Sequence, residues 1–237
     1  MIILLLLVLL PVQFLWQLLR LPTPWPQLFL RATAYICGAR VSTKGKRLRR
    51  DVIYASNHMS WLDIPVIAGA TGCTFIANDG IESWPIVGWL CRVNRVIFVS
   101  RTDRMKVGDQ IAQVRAALED NYPITIFPEG TTTDGTYLLP FKPSLFAVVA
   151  PPPKQMMIQP LWLDYHGAGP EFAWIGEETA PDNARRIFAR GRAIRATLHF
   201  LEPFDPSALG DRKAICAEVE RRIQAMLSAS PCGQAAL

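Results

Sequence analysis

No charged residue occurs in the first nineteen positions, and no acidic one before Asp51. Met1–Leu19 is almost wholly Leu, Ile, Val, Phe and Trp, interrupted only by Pro11, Gln13 and Gln17. A secretory signal needs a basic start and a small-residue cleavage site after its apolar run. Here the first basic residue is Arg20, and Pro22-Thr23-Pro24-Trp25-Pro26 offers no such site. A retained membrane helix is the reading that remains. At roughly 1.5 Å per residue such a helix would be about 28 Å long, close to the hydrocarbon thickness of a bilayer. A second apolar stretch, Gln27–Gly38, is too short to span alone, so residues 1–38 are expected to form a membrane-embedded helical hairpin.

Other absences narrow the chemistry. Cys37, Cys73, Cys91, Cys216 and Cys232 are scattered and odd in number, without metal-ligand spacing. Cys37, Cys73 and Cys91 lie in apolar contexts and read as small core residues of a reducing compartment, and no metal is expected. The nucleophile elbow G-x-S-x-G is missing, which argues against a serine hydrolase built around Ser60. No nucleic-acid motif accompanies the net charge of +5. The basic excess lies instead in Arg40, Lys44, Lys46, Arg47, Arg49 and Arg50, directly after the two apolar segments. Basic clusters in that position face the cytoplasm and attract anionic lipid, so the partner indicated is a bilayer and not nucleic acid.

Beyond residue 50, short runs rich in Val, Ile and Phe alternate with longer helical stretches. Val52–Ser56, Cys73–Ala77, Val96–Val99, Ile124–Phe127, Met156–Leu163 and Ile194–Leu201 predict strands. Trp61–Ala70, Arg104–Asn121, Ser144–Ala150 and Lys213–Leu227 predict helices. The alternation implies an α/β domain with a mostly parallel central sheet flanked by helices, covering residues 39–229 and ending in a frayed tail, 230–237. Ligands of such sheets bind at the carboxyl ends of the strands. Three polar clusters fall there: Asn57-His58, Ser100-Arg101 and Pro128-Glu129-Gly130-Thr131.

In Asn57-His58-Met59-Ser60-Trp61-Leu62-Asp63, Ser60 is expected to cap a helix whose third position is Asp63. A carboxylate there fixes the imidazole tautomer of His58 and leaves one nitrogen free to take a proton. Taken alone, the spacing is met equally well by a histidine at a helix start and an acid opposing the dipole. Pro128-Glu129-Gly130 is by itself an ordinary turn, although Gly130 permits close backbone approach by a ligand. Its neighbouring amides could hold an oxyanion or a phosphate. His166 and His199 read as structural, and Arg185, Arg186, Arg190, Arg192 and Arg195 as a solvated basic face.

Together the clusters resemble the glycerolipid acyltransferase family that includes 1-acylglycerol-3-phosphate acyltransferases. His58 and Asp63 match its H-x-x-x-x-D motif, and Phe127-Pro128-Glu129-Gly130-Thr131 its F-P-E-G-T motif, about seventy residues later. Val96–Arg101 is similar to the intervening block that ends in a substrate-binding Arg. Leu139-Pro140-Phe141-Lys142 and Ile158-Gln159-Pro160-Leu161 are similar to the two later blocks. The resemblance covers about residues 25–205. It implies an acyltransferase domain on an N-terminal membrane helix pair, facing the cytoplasm, with acyl-CoA or acyl-carrier protein as donor and no cofactor. It further implies His58 as general base and Asp63 as its orienting partner. Arg101, Glu129, Gly130, Thr131 and Lys142 are the implied substrate-binding residues, with Glu129 open between binding the acceptor's hydroxyls and holding the loop.

Two departures bear on the acceptor. Ser100 stands where the family usually has Asp, and Thr132-Thr133 where it usually has Arg-Ser. The default expectation is 1-acylglycerol-3-phosphate. Lyso-ornithine lipid is the alternative, because Phe127–Phe146 also resembles the enzymes that complete ornithine lipids. A catalytically silent lipid-binding protein, and a thioesterase or lipase, are readings from other classes. The intact His58, Asp63, Glu129 and Arg101 oppose the silent protein.

Overall fold

A computed structural model of the protein describes residues 1–19, 24–99, 123–149, 152 and 156–230. The predicted helix Arg104–Asn121, the candidates Ser100 and Arg101, and Cys232 lie outside the described residues.

Helix α1 (Ile2–Leu18) has 17 residues. At roughly 1.5 Å per residue it measures about 26 Å, short of a hydrocarbon core of about 30 Å. Among the described residues no helix is long and apolar enough to cross a membrane. That corrects the expectation drawn from the length of Met1–Leu19. Trp16 meets Trp25 edge-to-face at 5.3 Å, joining α1 to α2 (Trp25–Ile36). Helix α2 in turn packs closely on α3 (Asp63–Thr71). Gly69 permits the approach, since a Cβ there would lie 2.6 Å from the Arg31 Cα.

Seven strands form one sheet in the order β1-β7-β6-β2-β5-β3-β4. They are β1 (Ala39–Lys44), β2 (Val52–Ser56), β3 (Thr74–Asn78), β4 (Ile97–Val99), β5 (Ile124–Ile126), β6 (Met157–Asp164) and β7 (Ile194–Phe200). All neighbours pair in parallel except β6 and β7. The central strand β2 is buried along its whole length, as a parallel strand covered on both faces must be. Alternation sends Val52 and Tyr54 into a core with Leu62, Val66, Ile67 and Leu163 beneath α3. Ile53 and Ala55 enter a second core with Ile124, Ile158 and Phe146, closed by Ile215, Val219 and Ile223 of α6 (Arg212–Ala229).

Three elements were not expected. Strand β1 lies within the basic stretch, where only Ala39 is buried and the remaining five residues are exposed. As an edge strand it has one ladder to satisfy, and Arg40 and Lys44 discourage further pairing. The run after it is pinned by buried Gln159, which accepts from Leu48 N–H at 3.0 Å and donates to the Lys46 carbonyl at 2.8 Å. Helix α4 (Pro85–Val93) and helix α5 (Ala180–Phe188) are the others. The second carries part of the expected solvated basic face, where Arg185, Arg192 and Arg195 are exposed. Arg186 binds Glu178 at 2.6 Å, and Arg190 and Arg192 both pair with Glu171. The predicted Ser144–Ala150 helix is a 3-10 turn, Pro143–Val149.

Candidate active site

Strands β6, β2 and β5 lie side by side and parallel, so their carboxyl ends open on one edge. Each delivers one polar residue. Tyr165 follows β6, His58 follows β2, and Glu129 follows β5. Asn57 fixes the exit of β2. Its buried amide donates to the Leu163 carbonyl at 3.0 Å and accepts from Leu163 N–H at 2.8 Å, continuing the ladder by one side chain.

The next six residues fold around one carboxylate. Asp63 is fully buried, and its Oδ2 lies 2.7 Å from His58 Nδ1. The same oxygen accepts from Met59 N–H at 2.6 Å and Ser60 N–H at 2.9 Å. Its Oδ1 accepts from the Tyr165 hydroxyl at 2.7 Å. Burial, together with the charge of Asp63, raises the Tyr165 pKa well above the usual phenol range, which keeps that hydroxyl a donor. An acceptor so placed assigns the proton of His58 to Nδ1 and the lone pair to Nε2. The Ser60 cap is not formed. Helix α3 begins at Asp63, and Ser60 Oγ accepts from Leu62 N–H at 3.2 Å. Asp63 satisfies the loop amides itself, by reaching back.

His58 is held from its flat face too, by Phe127 stacked at 3.9 Å and 12°. Its side chain is 17 % exposed, whereas that of its carboxylate partner is 0 %. A ring clamped at one nitrogen and one face, and open to a partner at Nε2, is suited to taking a proton from an external hydroxyl.

Glu129 holds loops and is not open to an acceptor. It is 1 % exposed; Oε1 accepts from His58 N–H at 3.1 Å and Oε2 from Leu139 N–H at 3.0 Å. Burial pushes its carboxyl up to about 7, against the downward pull of those two donors. Gly130 adopts φ +70, and its N–H donates to the Phe127 carbonyl at 3.0 Å, so that amide closes the turn. A Cβ at Gly130 would lie 2.7 Å from Lys142 Nζ, a flexible side-chain end that can shift, so it is the positive φ that calls for glycine beneath that cation. The N–H of Thr131 makes no hydrogen bond among the described residues. Thr132, at the position of the family's arginine, donates its hydroxyl to the Trp174 carbonyl.

The structure thus brings together His58, Asp63, Glu129, Gly130, Thr131 and Lys142 at adjoining strand ends. Tyr165 and Phe127 are partners of the dyad that sequence reasoning did not assign. The position of Tyr165, one residue past a strand beside β2, was the signal available for it. Among the described residues no group of three His, Cys, Asp or Glu side chains could hold a metal ion.

The profile of the Acyltransferase family matches residues 39–164, which contain both motifs. The chain is 34% identical to a lyso-ornithine lipid O-acyltransferase of Rhizobium meliloti, over 94% of this chain and 82% of that protein. It is 29% identical to a 1-acyl-sn-glycerol-3-phosphate acyltransferase of Neisseria gonorrhoeae, over 75% of this chain and 69% of that protein. The fold is similar to the crystal structure of the 1-acyl-sn-glycerophosphate acyltransferase from Thermotoga maritima, with TM-score 0.61 and 20% identity over 86% of this chain and 80% of that one. With a clamped His-Asp pair inside the matched region, the chain belongs to the acyltransferase family, and it is an acyltransferase of the lysolipid type.

Proposed function

We propose that the protein transfers an acyl group from a thioester donor to the hydroxyl of lyso-ornithine lipid, with His58 as general base. The lipid oxygen attacks the thioester carbonyl as His58 Nε2 takes its proton. The imidazolium is stabilised by Asp63 and then returns the proton to the departing thiolate, so a C–O bond replaces the C–S bond. A positioned base of this kind contributes roughly 10²–10⁴-fold in rate. The unpaired Thr131 N–H is the amide available to a developing oxyanion, since that of Gly130 is engaged.

The observation that carries the choice of acceptor is Thr132. Its hydroxyl ties two loops together, and it supplies no cation for a phosphate headgroup. A hydrogen bond to a charged group contributes about 1.5–3 kcal/mol, so its loss weakens a phosphate acceptor by one to two orders of magnitude. An ornithine headgroup, with one carboxylate and one ammonium, loses less. The R. meliloti relative supports the same reading. The second reading, 1-acylglycerol-3-phosphate, rests on the N. gonorrhoeae relative and on Lys142.

The N-terminal helices complete the proposal. Ile3, Leu4, Leu7, Phe14, Leu15 and Leu18 are exposed on α1, an apolar surface suited to lying in the cytoplasmic leaflet. The catalytic domain then sits on the cytoplasmic face, where thioester donors occur.

The two lysolipids, offered side by side in vesicles with one donor, separate the readings by mass spectrometry of the products. We expect at least about tenfold preference for lyso-ornithine lipid. A preference for lysophosphatidic acid that Thr132→Arg leaves unchanged would overturn it.

A further inference from the structure

A cleft of about 720 Å3 opens beside the Glu129 loop. Glu129, Thr131 and Lys142 line one side, and Arg212 and Lys213 from the start of α6 line another. All three cations are exposed at their outer ends, and among the described residues none makes a hydrogen bond or ion pair through its charged group. Two of them occupy the first turn of a helix, where the dipole disfavours positive charge. The charge of neighbouring Asp211 offsets part of that cost but does not itself call for two cations. Nor does the helix end itself form the site, because Asp211 Oδ1 already accepts from Lys213 and Ala214 N–H, each at 2.8 Å. The cations are what the cleft offers.

We propose that this cleft seats the phosphate groups of the acyl donor, with Arg212 and Lys213 as donor-binding residues. The proposal rests on the acyl-transfer reading and adds a side to it. The chemistry required is that of a multiply charged oxyanion, which three convergent cations from two segments recognise. Two co-substrates could bring a phosphate. Coenzyme A carries a diphosphate and a phosphomonoester, and an acyl-carrier protein carries a phosphodiester. Lysophosphatidic acid carries one phosphomonoester. An ornithine headgroup is zwitterionic, and its single carboxylate with an ammonium beside it matches three cations less well than a multiply charged phosphate does, so the acceptor proposed above is placed elsewhere. Glu129 links the cleft to chemistry, since its other oxygen holds His58 N–H and its side chain lines the wall. A donor seated there lies against the Glu129 loop, which is hydrogen-bonded to the loop that carries the base.

The test exploits a donor without phosphate. Wild type and the double variant Arg212→Gln/Lys213→Gln are compared with an acyl-CoA and with the N-acetylcysteamine thioester of the same acid, at saturating lysolipid. We expect kcat/KM for acyl-CoA to fall about tenfold through KM, and the phosphate-free thioester to change less than about twofold. The charge-preserving variant Arg212→Lys/Lys213→Arg should retain most of the acyl-CoA activity. Equal losses on both donors or no loss on acyl-CoA would overturn the proposal, as would, with lysophosphatidic acid varied instead at saturating donor, a rise confined to the KM of that acceptor. Calorimetry with coenzyme A alone supplies a readout independent of turnover and of the acceptor. Binding to wild type that weakens about tenfold in the double variant supports the cleft even if the chosen acceptor is wrong. Equal binding to both rejects it.

Discussion

Two histidine–aspartate clusters stand at the same end of strand β6, and only one is built as a dyad. Asp63 receives an imidazole, two backbone amides and a phenol, each between 2.6 and 2.9 Å. Asp164 stands 3.5 Å from His166 Nδ1 and 4.0 Å from His199 Nε2. Its short bond is to His166 N–H at 2.7 Å, a local turn, and His166 Nε2 meets Thr197 Oγ1 at 2.8 Å instead. Burial lowers the His199 pKa, with the charge of Asp164 only partly opposing it. The two clusters diverge because Asp164 and Tyr165 are consecutive and strand alternation points them to opposite sides. Tyr165 joins the first cluster and Asp164 makes the second. A nearby carboxylate does not create a base. A carboxylate whose other contacts hold it rigid does.

The comparison is sharpest at its centre. His58→Ala should lower kcat by about 10³-fold or more with the melting temperature nearly unchanged, since the ring is partly exposed. Near-normal turnover in the folded variant would end the general-base assignment. Asp63→Asn should cost about 10²-fold, because an amide in that place offers its NH2 to two backbone N–H donors or to the ring, and the tautomer is lost. The variant should also melt lower, as a buried acceptor network is broken. Tyr165→Phe removes one donor from Oδ1. We expect a loss of roughly tenfold in kcat with KM for both substrates unchanged, the pattern of a positioning residue. A rise in KM with kcat intact would place the hydroxyl on substrate.

The same comparison shows what could be read in the chain. The buried strands were legible because β2, β5 and β6 are short, largely apolar runs, and the His58–Asp63 pair through its resemblance to the H-x-x-x-x-D motif, since its spacing alone served a helix start equally well. Strand β1, Ala-Arg-Val-Ser-Thr-Lys, was not, since an edge strand buries little and its charges resemble a loop. The basic run Arg185–Arg195 lies largely at the surface, as expected, but its pairing was not legible for a similar reason. Its partners Glu171 and Glu178 lie in a preceding loop, and only the fold brings them within ion-pair distance. Holding the loop was one of two readings open for Glu129, but its partners were hidden, because two acceptor bonds to amides ten and seventy-one residues away leave no trace in composition. Arg101 falls outside the described residues, so the motif alone speaks for it.

Glu129 ties the two motif loops together, and its raised pKa makes that tie sensitive to pH. With its carboxyl pushed up from 4.5 to about 7, the folded protein keeps a proton between those values that the unfolded chain releases. Stability therefore falls as pH rises through that window, by on the order of 3 kcal/mol at most. Glu129→Gln should melt lower than wild type at pH 5, because an amide nitrogen cannot accept from both backbone N–H groups. The gap should narrow toward pH 8. Parallel melting curves across pH 5–8 would show that Glu129 does not titrate in this range.

The smallest effect is expected at the second cluster. Asp164→Asn removes the charge shared by His166 and His199 but leaves an oxygen able to accept from His166 N–H, so the turn survives. That turn matters because His166 has φ 54, a conformation the local bond helps to hold. His199, relieved of the opposing influence of that carboxylate, should titrate lower still, which is visible as a shift of its imidazole resonance by NMR. Activity should stay within about twofold of wild type, because no hydrogen bond or ion pair links this cluster to His58 or Asp63 among the described residues. Tyr165 is the neighbour in sequence through which an effect would travel. A tenfold loss in Asp164→Asn, matched by the loss in Tyr165→Phe and not exceeded in the double variant, would mean that the strand end couples the two clusters and that they act as one.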